Sequence, residues 1–288
     1  MPAKTKSATG VPFLAQVLGR RLRRLREQHG FTREQVAAEL ELSAFSVLRH
    51  ETGETKVSVA NILAYASLYK LSTEQVEPLK QLARQSKQRG WWTAIGANLH
   101  PAFAYLVEAE LMAKSIRNWE PSVIPGLLQT EDYTKALLAR AKFLWKEDNP
   151  LSLAEAVESR ERRKQLLTAT NAPKFWFIIG ASALRMMVGD ESVMRGQIHH
   201  LLKLCELANV TIQVMTEETG YHVGTDGPCV LFHLSEEPGD AVVYYENSLS
   251  FTDDAGTLKR HARQFELLVS QALDPAASRS YLQAILAA

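Results

Sequence analysis

At 288 residues, with 46% hydrophobic and 23% charged residues, the chain has a globular composition and room for two domains, which excludes a disordered or fibrous protein. No apolar run approaches the roughly 20 residues that span a bilayer, so no membrane partner is expected. The net charge of +1 conceals a division: residues 1–90 hold 15 Lys/Arg against 8 Asp/Glu, and residues 91–288 hold 18 against 24. A basic front suits phosphate attraction at one end of the molecule, although a solvated helix face would give the same count.

Residues 1–12 read as a disordered start, with lysines but no apolar core behind them, so a secretory signal is not expected. A helix follows near Leu14 to His29, with Leu18, Leu22 and Leu25 on one face. Arg20, Arg21, Arg23 and Arg24 surround the rest, either as a solvated face or as phosphate contacts, and Gly30 ends the helix as a C-cap. Phe31, Thr32 and Gln35 then form a hydrophobic residue, a hydroxyl N-cap and a capping-box glutamine, the start signature of a second helix. Val36, Ala37 and Leu40 give it an apolar face. After Glu41-Leu42, Ser43 caps a third helix in which only Val47 is clearly inward. Ala44, Phe45, Ser46, Leu48 and Arg49 are left on its other faces, which suits it to presenting side chains elsewhere. Ser58 caps a fourth helix, whose Val59, Ile62, Leu63 and Ala66 close a small core around Val36 and Val47. A fifth runs from about Thr73 to Gln88.

The spacing from Gly30 to Gly53, G-F-T-x-x-x-V-A-x-x-L-x-L-S-x-x-x-V-x-R-x-E-x-G, resembles the phage-repressor or Xre-type helix-turn-helix. In that fold the second helix of the motif enters the DNA major groove and the first braces it on the backbone. The resemblance implies double-stranded DNA as partner. Its DNA-binding residues would be Arg33, Ser43, Ala44, Phe45, Ser46, Arg49 and Lys56, with Arg33 on phosphate and Ala44, Phe45, Ser46 and Arg49 facing the groove. It also implies an Arg26–Glu51 ion pair. The turn usually carries Gly where this chain has Glu41, so a positive φ there would cost on the order of 1 kcal/mol.

Gly90-Trp91-Trp92 marks the expected boundary, read as a linker packing onto the second domain in preference to a base-stacking pair. The pattern from Pro101 to Trp119 is helical. Pro125-Gly126 makes a turn, and Thr130 caps the next helix with Glu131 and Asp132 in its first turn. The string PGLLQT followed by Tyr133 resembles the antitoxin-like domain behind Xre-type helix-turn-helices in many actinobacterial regulators. Glu110, Ala113, Arg160, Arg163, Leu184-Arg185, Val188-Gly189, Met194, Gln197, Val214, the Gly220–His222 turn, Val243 to Glu246, Ala272–Pro275 and Ser278 extend that match. Ala181 stands where such proteins often carry Glu, which removes any role resting on that carboxylate. The resemblance implies a small protein encoded beside the gene as a partner. Strands are expected at Phe175–Gly180, Val210–Met215, Cys229–Leu234 and Ala241–Tyr245, with one parallel crossover and a final hairpin. Helices are expected at Ala255–Leu273 and near Arg279–Leu286.

Catalytic signals are weak. His199-His200 point about 100° apart on a helix and cannot share a metal, and HExxH, GxSxG, a P-loop and GxGxxG are all missing. Cys205 and Cys229 lack metal or redox spacing and fit a cytoplasmic setting. The Gly220–Gly227 stretch is a plain loop or a lid over a pocket. The expected protein is thus α+β: a five-helix helix-turn-helix domain at 13–89 and a mixed α/β regulatory and dimerisation domain with a small mixed sheet at 90–288. It would be a dimeric, autoregulatory transcriptional regulator, not an enzyme, with no cofactor or metal. One other reading makes the second domain a small-molecule sensor or degenerate enzyme with a pocket at Tyr221, His222 and Tyr245. Another makes the helix-turn-helix only a protein-interaction module.

Overall fold

A computed structural model describes residues 12–87, 101–141, 152–237 and 239–287, which fall into two compact units. The expectations for residues 1–11 and for Gly90-Trp91-Trp92 lie outside the described residues.

The first unit consists of five helices: α1 (Phe13–Gln28), α2 (Arg33–Glu39), α3 (Ala44–Thr52), α4 (Val59–Leu68) and α5 (Thr73–Gln85). Local chemistry sets the ends. Gly30, at φ 71°, follows α1, and the Phe31 N–H reaches back to the Arg26 carbonyl at 3.1 Å. Thr32 and Gln35 exchange capping hydrogen bonds, and Ser43 and Ser58 each accept from a backbone N–H three residues on. Between α2 and α3, Glu41 takes φ 52° and the Leu42 N–H bonds to the Ala37 carbonyl at 2.9 Å, so the strain expected of that residue is present.

Two glycines let α1 and α3 approach. A Cβ on Gly19 would lie 2.5 Å from the Glu51 carbonyl oxygen, and one on Gly53, at φ 76°, 2.7 Å from the Ala15 backbone. Arg26 lies seven residues after Gly19, two turns along the same face of α1. The glycine allows the contact and the arginine anchors it. Val17, Leu18, Leu22, Val36, Val47 and Ile62 are buried as expected or beside expected positions. Leu63 is not: it is 51% exposed, and Tyr65 and Tyr69 fill the core instead. The burying face of α4 runs through Ile62, Tyr65, Ala66 and Tyr69, a 3–4 spacing that the aliphatic residues alone do not mark.

The second unit opens with α6 (Pro101–Met112) and β1 (Ser115–Glu120). This corrects the helix expected from Pro101 to Trp119. Ile116 and Trp119 sit three apart and mimic a helical stripe, but β1 lies in the middle of the sheet, where both faces are buried and strand alternation is lost. A 3-10 turn (Gly126–Leu128), α7 (Glu131–Ala141) and α8 (Leu153–Lys164) follow. Then come β2 (Lys174–Gly180), α9 (Ala181–Arg185), α10 (Glu191–Leu204), β3 (Val210–Met215), β4 (Cys229–His233), β5 (Ala241–Tyr245), β6 (Ser250–Thr252), α11 (Ala255–Gln271) and α12 (Pro275–Ala287).

The sheet has six strands in the order β3-β2-β1-β4-β5-β6, parallel among β1, β2 and β3 and antiparallel elsewhere. The expected crossover (β2 to β3) and hairpin (β4 to β5) are present; β1 and β6 are additional. Fold and class are α+β. One sheet face carries Trp119, Ile178, Leu231 and Val243 against Leu258, Phe265 and Leu268 of α11. At the β3 edge, the Val214 N–H donates to Ser278 Oγ at 2.9 Å and its carbonyl accepts from the Leu273 N–H at 2.9 Å. The C-terminal segment thereby covers an edge that would otherwise offer unpaired backbone.

Candidate nucleic-acid interface

The helix pair α2–α3 is fixed from behind by one carboxylate. Glu51, its side chain 2% exposed, takes Arg26 Nε at 2.5 Å on Oε1 and Arg26 Nη2 at 3.2 Å on Oε2. Oε2 also accepts from Arg33 Nε at 2.9 Å. The Glu51 hydrogen bond holds Arg26 above the ordinary guanidinium value, against the cost of burial. Arg26 also donates to the Phe31 carbonyl at 3.0 Å. Three helices meet at Glu51, and the orientation of α3 follows from it.

His50, which the sequence did not flag, is buried beside Glu51, and its Nδ1 lies 3.0 Å from Tyr65 Oη. Burial, with Arg49 next to it, pushes its pKa down. Its signal was spacing: His50 lies three residues after Val47, on the inward face of α3.

The opposite side of α3 faces outward. Phe45 is 65% exposed and Arg49 is exposed, its guanidinium carbon 5.9 Å from the Phe45 ring centre and its Nε 3.9 Å from Glu54 Oε2. Ser43 and Ser46 are tied to each other through their hydroxyls at 2.8 Å, and Ser43 also caps the helix through the Ser46 N–H. Ala44 and Ser46 are half-buried, and Lys56 is exposed just beyond the helix. Arg33, the expected phosphate contact, is engaged within the unit. Its Nε is committed to Glu51, and its side chain is 35% exposed. Of the arginines on α1, Arg23 is paired with Glu27 at 2.8 Å.

In the second unit the PGLLQT segment is a hydrogen-bonded hub. Gln129 donates through Nε2 to the Ile124 carbonyl at 2.7 Å, and its Oε1 accepts from Arg160 Nη1 at 2.7 Å and Thr134 Oγ1 at 3.0 Å. Gln197 donates to the Leu128 carbonyl and accepts from the Thr130 N–H, both at 2.7 Å. Tyr133 Oη accepts from the Ile124 N–H at 3.2 Å. Arg163 grips Glu110 with two bonds of 2.8 and 2.6 Å, both side chains buried. Burial, and next the Arg163 charge, lower Arg160 to about 10. Ala181 is buried at the start of α9 and supplies no carboxylate.

Tyr221, His222 and Tyr245 do not line a common pocket with these groups. Tyr221 is 86% exposed, His222 packs edge-on against Trp119 at 5.3 Å, and Tyr245 Oη bonds His261 Nε2 at 2.6 Å on the α11 side of the sheet. The Gly220–Gly227 loop is held to that side: the Trp119 indole donates to the Gly224 carbonyl at 2.8 Å. Among the described residues no group of His, Cys, Asp and Glu is arranged to hold a metal, and no helix is long and apolar enough to cross a membrane.

A capped two-helix unit with an outward second helix, carried by the basic part of the chain, defines a DNA-binding regulator of the helix-turn-helix class. Residues 17–79 match the family model described as a helix-turn-helix domain. Residues 103–284 match the domain of unknown function DUF5753, and the chain belongs to that family. No curated protein and no solved structure matches it.

Proposed function

We propose that the chain is a sequence-specific transcriptional regulator of the Xre type that binds operator DNA as a homodimer through α3. The observation that carries this reading is the exposed Phe45–Arg49 pair on a helix whose other side is fixed by Glu51. A large exposed aromatic ring is otherwise a liability, and here it stands beside an arginine that can make two hydrogen bonds to a guanine edge. Phe45 would meet a thymine methyl. Arg33 Nη, Ser43 and Lys56 would hold phosphates beside the groove, with Ala44 and Ser46 close to the bases.

One such unit reads only a few base pairs, so two copies on a palindromic site are the natural arrangement, with a DNA-binding domain at 13–89 and a domain at 90–288 supplying dimerisation and control. Resemblance to antitoxin-like actinobacterial regulators supports autoregulation and a small protein partner encoded nearby, in the cytoplasm.

The test is footprinting of the full chain on its own upstream region at two salt concentrations, followed by titrations of Arg49→Ala and Arg33→Ala on operator and scrambled DNA. Arg49→Ala should lose about 1–3 kcal/mol of discrimination at one base pair per half-site. Arg33→Ala should weaken both DNAs alike and make the salt slope shallower by about one phosphate per subunit. Equal losses on both DNAs for Arg49→Ala would remove α3 from the bases.

A further inference from the structure

The sheet face opposite α11 does not close completely. Ile116 and Asn118 of β1, Phe177 of β2, Val230 and Phe232 of β4 and Tyr244 of β5 sit across from one another in register on this face. Together with α6, α8 and the 3-10 turn they surround a cavity of about 40 Å³. That volume exceeds what a single water needs. Its polar lining is Glu110, Asn118, Arg160, Arg163, Tyr244 and Glu246.

These groups are not equally satisfied. Arg163 and Glu110 neutralise each other. Among the described residues Arg160 has no carboxylate within bonding distance; its hydrogen bond goes to the neutral Gln129 amide. Asn118 is nine-tenths buried, and its Oδ1 has no hydrogen-bond partner although it borders the cavity. A buried amide oxygen without a partner costs stability, and a guanidinium whose hydrogen bond goes to a neutral amide can take a carboxylate directly, with Glu110 and Glu246 acting on it only through space. Gly126 lies beside both arginines: a Cβ there would stand in ordinary contact, 3.7 Å from Arg160 Nε and 4.0 Å from Arg163 Nη2.

We propose that this cavity binds a small carboxylate carrying a hydrogen-bond donor on the adjacent carbon, an α-hydroxy or α-amino acid. Its carboxylate lies on Arg160 and its donor on Asn118 Oδ1. Glu246 borders the same cavity and favours an ammonium over a hydroxyl donor. As the effector site of the regulator proposed above, the cavity rests on that reading; as a binding site, it does not.

The experiment is a saturation-transfer NMR titration of the full chain without DNA, so that failure to bind a ligand is separate from failure to bind an operator. The probes are acetate, glycolate and glycine. The expected result is binding with Kd of about 1 mM or tighter for glycolate or glycine, at least about fivefold better than acetate. Whichever of the two binds tighter identifies the donor. Arg160→Gln should weaken every probe by at least about tenfold. Asn118→Ala should leave acetate unchanged and reduce the preference over it to less than about twofold. The Asn118 comparison decides the matter if Arg160→Gln does not fold. No saturation transfer to any probe would overturn the assignment, as would a preference that survives Asn118→Ala.

Discussion

Replacing Glu51 should unfold the first unit at moderate temperature. Its carboxylate receives three hydrogen bonds from two arginines, of which Arg26 is 10% and Arg33 35% exposed at the side chain. Glu51→Ala leaves Arg26 buried with a single carbonyl and a distant contact to Glu27 at 3.4 Å. Breaking one side of a buried pair costs about 3–5 kcal/mol. A small helical unit has total stability near the low end of about 5–15 kcal/mol. At about 4–8 °C per kcal/mol for a domain of this size, the unit should melt at least about 12 °C lower. Arg33→Ala removes only the half-exposed partner, and solvent screening limits its cost to about 1 kcal/mol. Hydrogen exchange resolved by peptide on the full chain separates residues 13–87 from the second unit. If amides of α1 and α3 exchange no faster in Glu51→Ala than in the parent, the carboxylate does not hold the helices and the orientation of α3 has another cause.

Glu41→Gly relieves the positive φ of 52° between α2 and α3 and should stabilise the first unit by about 0.5–1 kcal/mol, read as a rise in its melting temperature. His50 is depressed below its unfolded value, so its contribution is intact above about pH 6.5 and is lost as pH falls through the folded pKa. His50→Gln should flatten the acid limb of first-unit stability below about pH 6.5, measured by denaturant titration. Glu120 is pushed up to about 9 by burial and by the neighbouring Glu246, so its contribution is present below about pH 4.5 and is lost as pH rises towards 9. Glu120→Gln should therefore stabilise the second unit by about 1–3 kcal/mol at about pH 8 and change it little at about pH 4 in the same titration.

The first unit was legible because its signals are local. Thr32, Gln35, Ser43 and Ser58 cap helices through bonds spanning three residues, and Gly30 and Glu41 sit where the chain must turn left-handed. Such contacts are written in adjacent residues. Leu63 and the two tyrosines were not, because α4 chooses its buried face by what lies across from it. His29 and Phe31 stand 5.3 and 6.0 Å from Tyr69, and His50 bonds Tyr65. Arg33 was placed correctly at the start of α2, but Glu51, eighteen residues later, draws its Nε inward.

The second unit shows the opposite limit. Glu110, Arg160, Arg163, Tyr244 and Glu246 lie far apart in the chain, and no periodicity connects them. Only the resemblance grouped them with PGLLQT. They converge because β1, expected as the end of a helix from Pro101 to Trp119, pairs with β2 on one side and β4 on the other. Once β1 is central, Asn118 faces the same cavity as the two arginines, and Gln129 of the turn reaches Arg160. A helix from Pro101 to Trp119 would have turned Asn118 to an arbitrary side. The misplacement of one element therefore hides the cavity in the sequence, even though most of its polar side chains are marked there.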